Sequence, residues 1–302
     1  MSDPTRPVEP MADRTVHLLV SPDAGRGKAA NALEAIRTTF ADEGVDLVDI
    51  SGATAAESLK AAHRVVDQGA ERIITVGGDG LVHLALQAVA ETQTVLGVIP
   101  VGTGNDFAAA LSLPTDPAEA VRSALGPALP TDALKLGEHW VASVATAGFS
   151  GDVNERANAM RVPRGPSRYT IATLVELPRL QHRRVRLTVD AEVHEYEAAM
   201  LAFANTRDFG GGMQICPDAD PEDGLVDITV VAGIGRFELL RFFRLVFDGR
   251  HLAHPKVHTH RGSEVTIECE SLAFWGDGEP LGPAPLRCRT VSGAIRLARA
   301  AS

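Results

Sequence analysis

The run Ile73-Ile74-Thr75-Val76 ends abruptly in Gly77-Gly78-Asp79-Gly80, and residues 81–89 follow with helical spacing. A short β-branched run, a glycine turn and a helix-like pattern read as strand, tight turn and helix N-terminus, the unit of an α/β fold. Glycine lets the backbone turn at positive φ and lets a ligand approach the main chain. Unpaired N–H groups and the positive end of the helix dipole then favour an anion such as phosphate. Asp79 belongs in such a site if a divalent cation lies between it and the phosphates. An ordinary β–α turn with glycine at the bend would carry the same letters.

A second segment of the same kind follows. Residues 95–99 read as the next buried strand and end in Pro100-Val101-Gly102-Thr103-Gly104-Asn105-Asp106-Phe107-Ala108. Two glycine-rich turns on neighbouring strands would line one crevice at the carboxyl edge of a sheet, where such folds bind ligands. Together the two motifs resemble the diacylglycerol kinase catalytic-domain family, which includes bacterial lipid kinases and the sphingosine kinases. The second motif is absent from the NAD kinases and phosphofructokinases that share the first turn. The resemblance covers nearly the whole chain. It implies an α/β N-terminal domain with a parallel sheet, like that of NAD kinases and phosphofructokinases. A β-sandwich-like C-terminal domain with helical inserts would follow.

The pattern along the first half agrees. Strands at 16–20, 45–50, 72–76 and 95–99 alternate with helices at 29–40, 55–68, 81–90 and 119–125, as right-handed βαβ units require. Residues 126–130, Gly-Pro-Ala-Leu-Pro, break the pattern. The expected domains are therefore a tail at 1–13, a nucleotide-binding α/β domain at 14–130 and a β-rich lipid and catalytic domain at 131–289. The segment 290–302 is able to rejoin the first domain through a strand near 294–297. After the first strand, Ser21-Pro22-Asp23-Ala24-Gly25-Arg26-Gly27-Lys28 lacks the spacing of a Walker A loop. It resembles the family's Asn-Pro-x-Ser-Gly loop, with Ser21 for the Asn and Ala24 for the Ser. The resemblance implies that ATP is bound by Ser21, Pro22, Asp23, Ala24 and Gly25, by Gly78, Asp79, Gly80, Leu81, Val82 and His83, and by Gly102, Thr103, Gly104 and Asn105. Where the family continues Thr-Leu-Asn-Glu, this chain has Leu81, Val82, His83 and Leu84, which trims polar contacts; His83 is expected to face solvent.

The second half changes period. Strands are expected at 133–136, 140–146, 185–189, 196–204, 225–231, 264–270 and 273–275, with helical inserts near 151–178 and 236–247. Three features there bear chemistry. Residues 217–227 hold five carboxylates in eleven residues, either a solvated acidic turn or a chelate for a hard cation. In the family, the positions matching Asp220, Asp223 and the Leu225 carbonyl hold a structural Mg²⁺. The turn Trp275-Gly276-Asp277-Gly278-Glu279-Pro280 suits a plain β-turn. It also resembles the family's Asp-Gly-Glu motif, in which Glu279 would be the base and Asp277 its supporting partner. Finally, arginines 156, 161, 164, 168, 179, 183, 184 and 186 stand against only Glu155 and Glu176 between residues 155 and 186. With interleaved apolar residues they form either a solvated face or a contact with an anionic membrane, through Arg183, Arg184 and Arg186.

Composition narrows the function. A chain of 302 residues suits two domains, and 45% apolar with 23% charged residues suits a soluble globular protein. A net charge of −10 argues against nucleic acid as a partner. Three cysteines at wide spacing suit neither a disulfide framework nor a zinc site, so a reducing cytosol is expected. No apolar run approaches the ~20 residues of a membrane span, and no signal-peptide core is present. The expectation is a cytoplasmic, peripherally membrane-associated lipid kinase using Mg²⁺ and ATP. Its reaction would convert a lipid alcohol, most simply diacylglycerol, to a phospholipid such as phosphatidate; a homodimer is open. The rival readings are another kinase class with this turn, such as NAD kinase, and a nucleotide- or lipid-binding module without turnover.

Overall fold

Residues 15–21, 28–160, 167–270 and 272–299 are described by the computed structural model; the expected tail and Pro22, Asp23, Ala24 and Gly25 lie outside them. The chain divides into two units, residues 1–133 with 292–302, and residues 134–291. The first unit alternates β1 (Thr15–Val20), α1 (Lys28–Asp42), β2 (Asp46–Asp49), α2 (Ala55–Asp67), β3 (Arg72–Gly77), α3 (Asp79–Val89), β4 (Val95–Pro100), α4 (Asp106–Ala110) and α5 (Pro117–Leu125). Its strands are parallel in the order β2-β1-β3-β4. β3 and β4 are buried along their whole lengths, as strands with both faces covered are, which is why they read as unbroken apolar runs. Val16, Leu18, Ile74, Val76 and Ile99 of the sheet pack with Ile36 and Phe40 of α1 and with Val121 of α5.

Local chemistry sets the helix ends. Asp116 Oδ1 accepts from the Ala118 and Glu119 N–H groups at 3.0 and 3.1 Å, with Pro117 at the first helical position of α5. At the other end of α5, the buried Arg72 guanidinium donates to Ala124 O and, at 3.1 Å, to Gly126 O. That contact satisfies carbonyls a helix C-terminus leaves open.

The strand β5 (Ala128–Leu136) passes from the first unit into the second. The second unit then runs β6 (His139–Val141), β7 (Val144–Gly148), α6 (Phe149–Ala159), α7 (Ser167–Glu176), β8 (Arg183–Val189) and β9 (Glu192–Ala204). It continues through β10 (Asp208–Phe209), β11 (Met213–Gln214), β12 (Val226–Ala232), α8 (Arg236–Val246), β13 (Val257–Gly262), β14 (Glu264–Cys269), β15 (Ala273–Gly276), β16 (Glu279–Pro283) and β17 (Leu286–Ala298). β9 is central: it pairs antiparallel with β8, β7 and β12. Its side chains alternate, Leu201 and Phe203 meeting Val226, Ile228 and Phe274 on one face. Met200, Ala202 and Ala204 meet Phe149 of α6 and Leu239 and Phe242 of α8 on the other. β17 pairs antiparallel with β14 over 286–289, and parallel with β4 at Arg296 and Leu297. A parallel α/β unit and a β-rich unit with helical inserts are the architecture the motifs implied.

Several expected elements differ in extent. The break at 126–130 ends no sheet, since Ala128 begins β5. The strand expected at 140–146 is split into β6 and β7, because the N–H groups of Ala142 and Ser143 turn to the Asp277 carboxylate. The insert at 151–178 is two helices, α6 and α7. α4, β10, β11, β13 and β16 had no expected counterpart.

Candidate functional site

Three parallel strands deliver their carboxyl ends to one place in the first unit. The Ser21 N–H donates to Val76 O at 3.0 Å, and the Val101 and Gly102 N–H groups donate to Gly77 O at 3.0 and 3.3 Å. A Cβ on Gly102 would stand 2.6 Å from Gly78 Cα and 3.1 Å from Gly78 N, so the two turns can touch only if this position has no side chain. Asn105 holds the left-handed conformation with φ 59°. Its Oδ1 accepts from the Gly102 N–H at 3.1 Å and its Nδ2 donates to Gly102 O at 2.9 Å, which locks the second turn. Gly102, Thr103 and Gly104 are exposed, and Gly80 is exposed on the first turn of α3.

Asp79 joins the two turns. It is the first residue of α3, and its Oδ1 accepts from the Phe107 N–H at 3.1 Å, thereby closing the start of α4. Its Oδ2 is turned to Gly104: a Cβ there would lie 3.0 Å from Asp79 Oδ2 and 3.9 Å from Asp106 Oδ2. Two carboxylates beside an exposed glycine and a helix N-terminus are hard oxygen donors next to an anion cradle, which fits a Mg²⁺-polyphosphate. Sequence reasoning gave Asp106 no role; the Asn-Asp pair ahead of an apolar run was the available signal. Of the α3 residues, His83 differs from expectation. Leu81 is half-buried, Val82 is buried, and His83, expected in solvent, is only 8% exposed. His83 sits on the buried face of α3 with Val82, Ala85 and Leu86, and Gln87 Nε2 donates to its carbonyl at 3.0 Å.

In the second unit Asp277 and Gly278 form the two-residue hairpin between β15 and β16, with φ 51° and 90°. Positive φ at both positions is the geometry that Asp-Gly supplies most readily. Asp277 Oδ2 accepts from the Ala142 N–H at 2.8 Å and Oδ1 from the Ser143 N–H at 2.9 Å, while its own N–H donates to Val144 O at 3.1 Å. This carboxylate therefore fastens the hairpin to the β6–β7 junction. Glu279, the first residue of β16, is exposed.

The acidic turn is held by its own hydrogen bonds and by Arg261 of β13. Asp220 Oδ1 accepts from the Glu222 N–H at 3.0 Å and Asp223 Oδ1 from the Leu225 N–H at 2.9 Å. Arg261 Nε and Nη2 each lie 3.0 Å from an Asp227 oxygen, and Nη2 is 3.6 Å from Asp223. Burial pushes the Asp227 carboxyl up against the pull of Arg261, while its hydrogen bonds hold the guanidinium above its ordinary range. Among the described residues no three His, Cys, Asp or Glu side chains gather as a metal site. Asp220, Asp223 and the Leu225 carbonyl are nonetheless oxygen donors on one turn, the chemistry Mg²⁺ takes. Arg183, Arg184 and Arg186 lie on β8, facing Asp152 (3.6 Å), Glu197 (3.7 Å) and Glu195 (3.3 Å) respectively.

Residues 15–136 match the family model of the diacylglycerol kinase catalytic domain, and residues 143–299 that of the YegS C-terminal NAD kinase beta sandwich-like domain. A diacylglycerol kinase of Mycobacterium tuberculosis is 38% identical over 293 residues, covering 94% of this chain and 94% of that protein. An Alcanivorax borkumensis protein named "Probable lipid kinase YegS-like" is 30% identical over 242 residues, 77% of this chain and 80% of its own. In fold, the chain is similar to a diacylglycerol kinase crystal structure from Bacillus anthracis, with a TM-score of 0.73 at 21% identity over 96% of this chain and 98% of that one.

Proposed function

Because the chain belongs to the diacylglycerol kinase family, we propose that it transfers the γ-phosphate of ATP to a lipid hydroxyl, most simply converting diacylglycerol to phosphatidate. The observation that supports this reading best is the joint at Gly78 and Gly102, with Asp79 bonded across it to Phe107. The exposed turn 102–104 and the N-terminus of α3 receive the phosphates. Mg²⁺, when bound with the nucleotide, neutralises charge on the transferring group. Asp79 holds it, with Asp106 alongside. Glu279 takes the proton of the lipid hydroxyl as the new O–P bond forms. The bond from the γ-phosphorus to its bridging oxygen breaks, and that electron pair leaves with ADP. Asp277 is a positioning residue that presents Glu279. Asp220, Asp223 and the Leu225 carbonyl hold a second, structural Mg²⁺.

The test is transfer of labelled phosphate from ATP to diacylglycerol, ceramide and sphingosine, each in mixed micelles. Label in phosphatidate above the other two products is the expected result. A preference for another lipid would correct the substrate, and no labelled lipid from any acceptor would overturn the reading.

A further inference from the structure

A lipid acceptor resides in a bilayer, so an enzyme of this kind needs a face that meets one; the inference rests on the lipid-kinase reading. The helix α8 carries such a face. Leu239, Phe242 and Val246 point into the core, and the neighbouring Phe243 packs on Phe149 of α6 with ring centroids 6.1 Å apart. The opposite side holds Phe237, 90% exposed, with Leu240 at 37% and Phe247, at the C-cap, at 54%. Arg244 falls between these on the same strip, and Arg236 and Arg241 flank it on either side, all exposed. Phe237 is the most exposed large apolar side chain among the described residues.

The charges on this helix are unevenly answered. Glu238 is taken up by Lys256 Nζ at 2.6 Å and by the Gly235 N–H at 2.8 Å, and Asp248 by Arg250 Nε at 2.6 Å. Among the described residues nothing answers the positive charge of Arg236, Arg241 and Arg244, on a chain whose total is −10. By contrast, the arginines first expected to meet the membrane, Arg183, Arg184 and Arg186, face carboxylates of their own unit.

We propose that the outer face of α8 docks the protein on an anionic bilayer, Phe237, Leu240 and Phe247 entering the acyl boundary and Arg236, Arg241 and Arg244 meeting the headgroup phosphates. Apolar side chains flanked by basic ones on one helix are the pattern of an interfacial helix. A second copy of this chain fits less well, since two such faces would oppose like charges.

Co-sedimentation of the full chain with phosphatidylcholine vesicles containing increasing phosphatidylglycerol tests the proposal. Wild-type binding should rise with phosphatidylglycerol and fall with salt. Each arginine near an anionic surface is worth about fivefold, so R236Q/R241Q/R244Q should bind about a hundredfold more weakly. Phe237→Ser should lose about tenfold, with an unchanged melting temperature because the ring is exposed. R183Q/R184Q/R186Q should bind as wild type does. The proposal fails if wild type ignores anionic vesicles or if the α8 variants bind them normally. It also fails if those variants only turn a dimer into a monomer, which would give the face to a second copy. Phosphate transfer to a short-chain, monomeric diacylglycerol separates the two readings. Its absence in wild type would sink the kinase reading while vesicle binding still decides the docking face.

Discussion

Replacing Asp277 with alanine removes both acceptors from the Ala142 and Ser143 N–H groups and asks a residue with a Cβ to hold φ near 51°. Ala142 and Ser143 are buried, so their amides gain little water in exchange. A hydrogen bond to a charged group contributes about 1.5–3 kcal/mol, which makes the pair worth ~3–6 kcal/mol. The left-handed conformation adds about 1 kcal/mol against alanine. With some relaxation, a net loss of about 4 kcal/mol corresponds to a melting temperature lower by roughly 10 °C for a domain of this size. Asp277→Asn keeps one acceptor and tolerates the conformation, so about half that drop is expected. Glu279→Gln, at an exposed position, should melt like wild type yet lose about 10²–10⁴-fold in kcat with saturating MgATP and lipid. The assay pairs a thermal melt with steady-state turnover for all three variants. Wild-type melting in Asp277→Ala would refute the fastening role, and wild-type turnover in Glu279→Gln would move the base elsewhere.

At the glycine turn after β4, Gly102→Ala puts a Cβ 2.6 Å from Gly78 Cα, a backbone clash that no rotamer relieves. ATP affinity by calorimetry should fall at least about tenfold, ~1.4 kcal/mol, and undiminished binding would mean that the two turns need not touch. If the acidic turn binds Mg²⁺, the ion should stabilise the protein without nucleotide by about 2.7 kcal/mol at a hundredfold excess over Kd, and so raise its melting temperature. Coincident melts in Mg²⁺ and in chelator would remove that metal. Stability should also fall on acidification. Burial and the facing His194 and His258 hold His260 below its ordinary pKa against the opposite pull of Glu192, with Tyr196 Oη 2.7 Å from its Nε2. Burial likewise lowers His251. The unfolded chain therefore protonates first, so the stability is whole above about pH 6.5 and is lost as pH drops toward the folded-state values. His260→Gln should flatten the melt between pH 7 and 5, and an unaltered slope would assign the effect to other groups.

What could be read from the letters, and what could not, follows from range. β3 and β4 were legible because strands covered on both faces are uninterrupted apolar runs, and their glycine turns because a close approach of backbones tolerates little else. The division of 140–146 was not, since its cause is Asp277, 135 residues away from Ala142. His83 misled because a polar ring on an otherwise apolar helix face reads as solvated, yet α3 buries that face. The arginines of β8 looked unanswered along the chain, because their carboxylates sit mainly on β9 and β14, which only pairing brings alongside. The Asp277-Gly278 turn was legible as a turn, but not that Asp277 spends both oxygens on backbone amides.

The two-way pairing of β17 bears on how the protein is made. β4, buried along its length, receives Arg296 and Leu297 as its parallel neighbour only after the whole second unit has left the ribosome. Until then the nascent first unit presents an apolar strand with an unmatched row of N–H and C=O groups, the template on which chains aggregate. Translation order thus makes the first unit wait for the unit that follows it. A fragment ending before Ser292 should accordingly express as aggregate, whereas the same fragment supplied in trans with a peptide spanning 286–299 should regain solubility.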